Sequence, residues 1–541
     1  MGGITVFSMM RSKSSKTFVL FILMGLLISV SFSSVLRIGW TVEPDSLSPF
    51  IAYNLPAAEC FLLLYDPLVA LDENAEPVAK IAKSWELSED NRIWTFYLNE
   101  GIIWHDGVPL TSEDVKYTYE LFMNTGLGLY AGFLNGIESI ECPDPYTVVF
   151  TTTEPKANML VGNTPILPKH VWETVAEEDI EFWENEPVVG SGAFVYHQWE
   201  KGEYIHFKRN DDYFSDVPGV EEIIFILFAN NDTLAQALKT GEISAGMNIN
   251  PMQLPQLQQM SNIEAISSPG YGFTELAFNC WEDEESNGHP ALRDKTVRQA
   301  IDWALDKKAI LDISYVGQGE VGTTLVPPVL KKWHYQPSDS EIRSYDPEAA
   351  KGLLDASGYK AGKRGIRVDA EGNELSFRLY LRSSNTQEIK AGQMVKKYLQ
   401  AIGIEAMIET MDDGLLMDYI YDNADFDMFI WGWGTDIDPT TIFNVMSSNE
   451  IGGLSDCYYS NEEYDKLLVY QATLMDEKER QASVYEMQRI LYEESPYSIL
   501  FYDNEFQAVR TDLFTGWKRI PENGSFFLTV NPYNYVTVVP R

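Results

Sequence analysis

Residues able to do chemistry gather most densely in FDMFIWGWGTDIDPTTIF, residues 426–443. Met428 to Trp431 reads as a buried strand, which Gly432, Gly434 and Pro439 open into a loop displaying Trp433, Asp436 and Asp438. A carboxylate shielded from water accepts charge-assisted hydrogen bonds of about 1.5–3 kcal/mol from a cationic group. An indole offers a flat apolar wall to a side chain or a sugar ring. The aspartate pair has competing uses. Calcium binding needs the spaced oxygen ligands of an EF-hand, which the loop lacks. A glycosidase needs two carboxyls facing each other about 5–9 Å apart, usually from different strands. A structural role for Asp438 is a cap on the backbone ahead of Thr440.

Other candidates carry less chemistry. His105 and Asp106 form an acid/base pair on paper, but neighbours on a tight turn diverge. Gly190-Ser191-Gly192 lacks the Lys and helix start of a phosphate loop and reads as close-packed strand glycines. The six histidines are scattered, with no pair spaced for a shared nickel ion. No G-x-S-x-G or H-E-x-x-H occurs, so a secreted hydrolase lacks its motif. Cys60, Cys142, Cys280 and Cys457 lack metal-ligand spacing; they admit three full pairings or four free thiols. A formal charge of −40 excludes nucleic acid and anionic lipid as partners and keeps the chain soluble. We expect no cofactor and no metal.

The elements that must position these groups are readable in outline. Residues 81–122 hold alternating Trp94, Phe96 and Leu98 on a strand, a turn at Asp90-Asn91, a second turn at His105-Asp106-Gly107, and a capped helix start at Thr111 to Asp114. Val35 to Trp40 is a strand, Ala57 to Val69 a helix. Ala291 to Leu311 reads as one amphipathic helix, with Val297, Ala300, Ile301, Ala304 and Leu305 inward and Arg298 and Lys307 on the wet side. Helix and strand alternate from Gly272 to Tyr502, including a helix over 344–358, a strand over 375–381, a helix over 387–402 and a strand over 404–409.

Trp85, Glu86, Asp90, Gly101, Trp104, Asp106, Gly107, Pro109, Asp114 and Tyr117 give the chain a resemblance to the oligopeptide, dipeptide and nickel solute-binding proteins of ABC importers, the bacterial extracellular solute-binding family 5. Two further segments resemble the family in the same order, residues 188–214 and 291–311. The resemblance implies an α/β, type II periplasmic-binding-protein fold of the large three-lobed, cluster C-like kind. It implies a first lobe built from 34–70, 190–275 and 503–541, a second from 71–189, and a third from 276–502. It implies a hinge where Pro269 to Phe273 and a strand over 497–502 cross between lobes, although Gly270 and Gly272 also suit an ordinary turn.

The implied site is a cleft walled by Tyr53, Asn54, Tyr271, Gly272, Phe273, Trp433, Gly434, Tyr458 and Tyr502, with Asp436 matching the aspartate that receives a peptide's α-amino group. The ligand is then a small molecule, a peptide or alternatively an oligosaccharide. The partners are a membrane permease and, through it, its ATPase; the chain acts as a monomer. A structural surface protein is the rival outside this class.

Residues 1–33 read as a secretory leader: Arg11, Lys13 and Lys16 precede an apolar run from Phe18 to Val30 and small residues suited to cleavage after Ser33. An uncleaved anchor is the competing reading. With Cys60 the first cysteine, lipidation is not expected. The protein is expected in the periplasm or on the outer face of the cytoplasmic membrane.

Overall fold

The computed structural model describes residues 34–72, 76–128, 130–522, 524–527 and 531–541, so the expected leader lies outside the described residues. Among the described residues no helix is long and apolar enough to cross a membrane.

Most strands join one 12-stranded sheet with two distinct halves. In the first half Val35–Trp40 pairs in parallel with Glu222–Leu227, and Tyr204–Arg209 and Phe194–Glu200 follow antiparallel. In the second half Gly272–Phe278, Met428–Gly434, Ser376–Arg382 and Glu405–Met411 lie side by side. One strand, Tyr497–Arg510, serves both. Its residues 497–501 pair with Gly272–Phe278, and residues 504–510 pair with Ile263–Pro269. The chain crosses a second time at Gly270-Tyr271, between those two partner strands. Gly270 has no unusual φ; its backbone lies against the long strand, where a Cβ would sit 2.7 Å from the Asp503 carbonyl oxygen.

A separate four-stranded sheet, in the order Ala82–Leu87, Ile93–Leu98, Thr147–Thr152, Ile137–Asp144, carries the first part of residues 81–122, the segment that resembles the family's signature. Trp94, Phe96 and Leu98 point into its core, as alternation requires. Asn91 takes a φ of +58° in the turn, a conformation Asn tolerates. Helix Ser112–Thr125 begins with a capping box in which the Thr111 N–H donates to Asp114 at 2.8 Å. His105 and Asp106 do diverge. The His105 ring bridges the Gly190 N–H and the Gly192 carbonyl, at 3.1 and 3.0 Å, while Asp106 meets His170 at 2.7 Å. Gly190 and Gly192 precede their strand and pack against carbonyls of Leu64 and Leu63, leaving no room for a Cβ.

One continuous core joins the first half-sheet to the four-stranded sheet, from Leu36 and Ile38 through Phe50 and Phe61 to Phe96 and Phe122. The second half-sheet is covered on both faces by cores of its own, with Leu276, Phe278 and Ile430 on one side and Ala277, Phe429 and Trp431 on the other. The molecule is therefore two packed bodies joined by two strand crossings.

Some expected elements differ. The helix after Asn54 spans Leu55–Leu64 and ends at an extended Tyr65, because Asp66-Pro67 cannot continue it. Ala291 to Leu311 forms no single helix. Asp306 breaks it by capping a second helix, so the segment splits into Lys295–Ala304 and Lys307–Ser314. Its apolar face is inward as expected, but Arg298 and Lys307 are buried, not wet. Arg298 satisfies the carbonyls of Leu292, Glu494 and Ser495. Lys307 pairs at 2.8 Å with buried Asp302, which Arg343 also holds at 2.6 Å. Periodicity could not see these distant acceptors. All four cysteines are free thiols.

Gly270→Val drives a branched side chain into a strand that belongs to both bodies, and overpacking of this kind costs about 1–3 kcal/mol. The urea midpoint of the variant should fall accordingly; an unchanged midpoint would show that the crossing has slack.

Candidate functional site

The crossings open directly onto a cavity of about 380 Å³, within the size range of small-ligand sites. The first body contributes Trp40 and the start of helix Leu55–Leu64; the second contributes the loop that follows Met428–Gly434. Tyr271 and Phe273 come from one crossing, Asp503, Glu505 and Gln507 from the other. A second cavity of about 370 Å³ adjoins the first at Tyr271 and Ile437 and is lined by Lys331, Lys332, Trp333 and the Arg480–Asp438 ion pair.

Of the ten residues expected in the cleft, Tyr271, Gly272, Phe273, Trp433 and Gly434 line this cavity. Trp433 is fixed by a 3.0 Å hydrogen bond from its indole N–H to buried Asp456. Burial pushes the Asp456 carboxyl up to about 6, against hydrogen bonds from Tyr497 and Trp433.

Four residues lie elsewhere. Tyr53 is 61% exposed and lines neither cavity. Asn54 caps the helix, accepting from the Ala57 N–H at 3.0 Å and donating to the Glu43 carbonyl at 2.9 Å, so its amide is committed to scaffold. Tyr458 is buried in the second body, stacked on Trp281 and donating to the Ile420 carbonyl at 2.7 Å. Tyr502 is likewise buried, donating to the Thr324 carbonyl at 2.6 Å and accepting from the Thr324 N–H at 2.9 Å.

Asp436 is half-buried beside the cavity, whose wall includes its neighbours Thr435 and Ile437 but not Asp436 itself. It accepts a 2.9 Å hydrogen bond from the Thr441 hydroxyl. Burial raises its pKa and the charge of Asp438 adds to this. Asp438 has the structural role: it caps Thr440 at 3.1 Å and binds Arg480 through both oxygens at 2.6 and 2.9 Å. Burial opposes its ionisation, but the guanidinium outweighs that and holds its pKa below the usual range.

Sequence reasoning missed three cavity carboxylates, Glu59, Asp503 and Glu505. Asp503, Glu505 and Gln507 alternate on one face of Tyr497–Arg510, a period-two polar pattern next to buried Phe506 and Ala508. Glu59 is marked in the sequence as the lone acid in the otherwise apolar LPAAECFLLL. It is 2% exposed; one oxygen accepts from the Tyr535 hydroxyl and the other has no hydrogen-bond partner. Burial drives it to about 7, with the charge of Glu505 adding to the rise. Burial drives Asp503 to about 7 as well, against a hydrogen bond from Thr274. Glu505 is raised by burial while accepting from Ser525. Among the described residues no three His, Cys, Asp or Glu side chains form a group able to hold a metal ion.

Two bodies joined by two strands, with an aromatic and acidic cleft at the joint, define a hinged binding protein. The chain belongs to the bacterial extracellular solute-binding proteins, family 5, whose middle-region model matches residues 76–453. The oligopeptide-binding protein AppA of Bacillus subtilis is 26% identical over 499 residues, 90% of this chain and 89% of its own. The dipeptide-binding protein of Escherichia coli is 25% identical over 480 residues, 83% of this chain and 85% of its own. The solved structure of B. subtilis AppA in complex with a nonapeptide has the same fold, with a TM-score of 0.80 at 24% identity over 94% of this chain and 99% of that one.

The raised carboxyls set a pH dependence. Glu59 titrates near pH 4 when unfolded and near 7 when folded, so the folded state binds the extra proton between those values. Its contribution to stability is full below about pH 4, falls as the pH rises to about 7, and is then level. Glu59→Gln keeps an acceptor for Tyr535 and removes this loss. Urea midpoints at about pH 4.5 and about pH 7.5 should fall less for the variant than for the wild type; an equal or larger fall would contradict the assignment.

Proposed function

We propose that this chain is the extracytoplasmic binding protein of an ABC importer, capturing peptides in the cleft and delivering them unchanged to a membrane permease whose ATPase drives transport. The carrying observation is the cleft at two strand crossings in a chain of this family. Peptide as ligand is supported by relatives described as oligopeptide- and dipeptide-binding, and by the nonapeptide in the AppA structure. Neither relative is named for an oligosaccharide. Export through a leader at residues 1–33, without lipidation, completes the reading, as do the lobe boundaries drawn from the sequence.

The mechanism follows from the joint. A ligand touching both bodies stabilises the closed arrangement by its bridging contacts, and the closed form is what a permease can distinguish from the empty one. Asp436 is our candidate for receiving the peptide's α-ammonium. It adjoins the cavity wall, has Thr441 as its hydroxyl donor, and lies within electrostatic reach of Tyr130 from the first body. Burial raises its pKa, and a bound ammonium would favour the ionised form again.

Calorimetry with free and N-acetylated peptides of two to nine residues tests this. Acetylation should weaken wild-type binding by about 1.5–3 kcal/mol, roughly 10- to 150-fold, and cost little further in Asp436→Asn, since both changes delete one interaction. Acetylation without cost would remove Asp436 from the role. Mass spectrometry after incubation should return the peptides intact, whereas turnover would overturn the non-enzymatic reading.

A further inference from the structure

We infer that the hinge wall of the cleft is a receptor for an organic cation, the ammonium or guanidinium of a basic side chain, so that the preferred ligands are peptides carrying Lys or Arg. This rests on the peptide reading above and adds a second point of charge recognition, separate from the α-amino group.

The first observation is an imbalance. Glu59, Asp503 and Glu505 line the cavity, and among the described residues that line it there is no Lys, Arg or His. Elsewhere several buried acids do meet a cation, Asp302 with Lys307 and Arg343, Asp438 with Arg480, Asp427 with Arg378, Glu388 with Arg382, whereas Asp456 is satisfied by neutral donors and Glu275 has both oxygens without a hydrogen-bond partner. A buried carboxylate with no cation is costly to ionise, so a positive group entering this cavity would be favoured by three acids at once.

The second observation is the orphaned Glu59 oxygen. The side chain is almost wholly buried, lines the cavity, and is held through its other oxygen by Tyr535, which leaves the second oxygen an acceptor without a donor. Glu505 lines the same cavity, and its charge adds to the rise in the Glu59 pKa that burial causes. A third observation concerns the neighbours. Trp40, Tyr271, Phe273 and Trp433 line the same cavity, and aromatic faces attract desolvated cations. Carboxylates beside aromatic rings suit a guanidinium, which forks onto oxygens and stacks on rings in one plane. A metal ion is the wrong occupant, since no three ligating side chains form a group able to hold one among the described residues. The overall charge of −40 also raises the local concentration of cations around the protein.

The test uses the full mature protein and two peptide sets. One walks arginine through each position of an alanine tetrapeptide; the other replaces arginine by citrulline, its neutral isostere. Binding is measured by calorimetry. We expect the best arginine peptide to bind about 10- to 100-fold tighter than its citrulline twin, and this ratio to shrink to about threefold or less in Asp503→Asn/Glu505→Gln. Equal affinity of every arginine and citrulline pair in the wild type overturns the inference while leaving the peptide reading intact, and needs no variant to fold. If no tetrapeptide of either set binds, the peptide reading itself fails. If arginine amide binds as tightly as the best peptide, the cation receptor stands and the commitment to a peptide-borne cation is overturned.

Discussion

The strand Tyr497–Arg510 belongs to both halves of the large sheet at once, and the rest of the structure is arranged around that fact. A strand paired along its whole length cannot slide relative to either partner without breaking ladder hydrogen bonds, so the bodies it joins can only rotate about the residues between its two pairings. Those residues, Tyr502 and Asp503, pair with Glu320 and Gly319 of the short strand Gly319–Val321, and Asp503 lies against the other crossing, where Gly270 donates its N–H to the Asp503 carbonyl at 2.9 Å. Two crossings in contact define an axis, whereas one would leave a swivel. The cleft opens at this axis, so small rotations there become large displacements at its mouth.

The moving parts follow from the cores. The signature sheet shares one continuous core with the first half-sheet, so those two move together, while the second half-sheet is packed on both faces by its own side chains. Contacts such as the 2.9 Å hydrogen bond from the Ala157 N–H to the Ala472 carbonyl join the signature body to the far side of the cleft. The family signature is therefore scaffold. His105, an acid/base partner of Asp106 on paper only, pins the segment around Gly190 and Gly192 and thereby fixes one body's internal geometry. The cleft side of the joint is instead lined by carboxyls, those of Glu59, Asp503 and Glu505.

Much of this architecture is legible in the sequence. Strands Val35–Trp40 and Ile93–Leu98 announce themselves by composition and alternation, and the capping box at Thr111–Asp114 by residue type at fixed spacing; the loop expected from Gly432 starts later, because Gly432, Trp433 and Gly434 continue the strand, paired with Thr274, Phe273 and Gly272. Five residues read from the hinge and that loop do meet in one cavity. The rest is hidden for identifiable reasons. A tyrosine in sequence does not say which way its ring points, and Tyr458 and Tyr502 spend their hydroxyls on backbone inside the second body. The apolar alternation after Tyr497 stops at Asp503, which reads as a strand end. In fact the strand continues, with its polar face turned to a cavity instead of to core. Arg298 and Lys307 look wet because their acceptors are distant in sequence.

The central claim is that a ligand draws two preformed bodies together about this two-strand axis. Small-angle X-ray scattering of the mature protein, titrated with a peptide to saturation, measures that directly. The account predicts a radius of gyration that falls with occupancy, following the same binding curve as calorimetry. A profile that stays unchanged at saturation would contradict it.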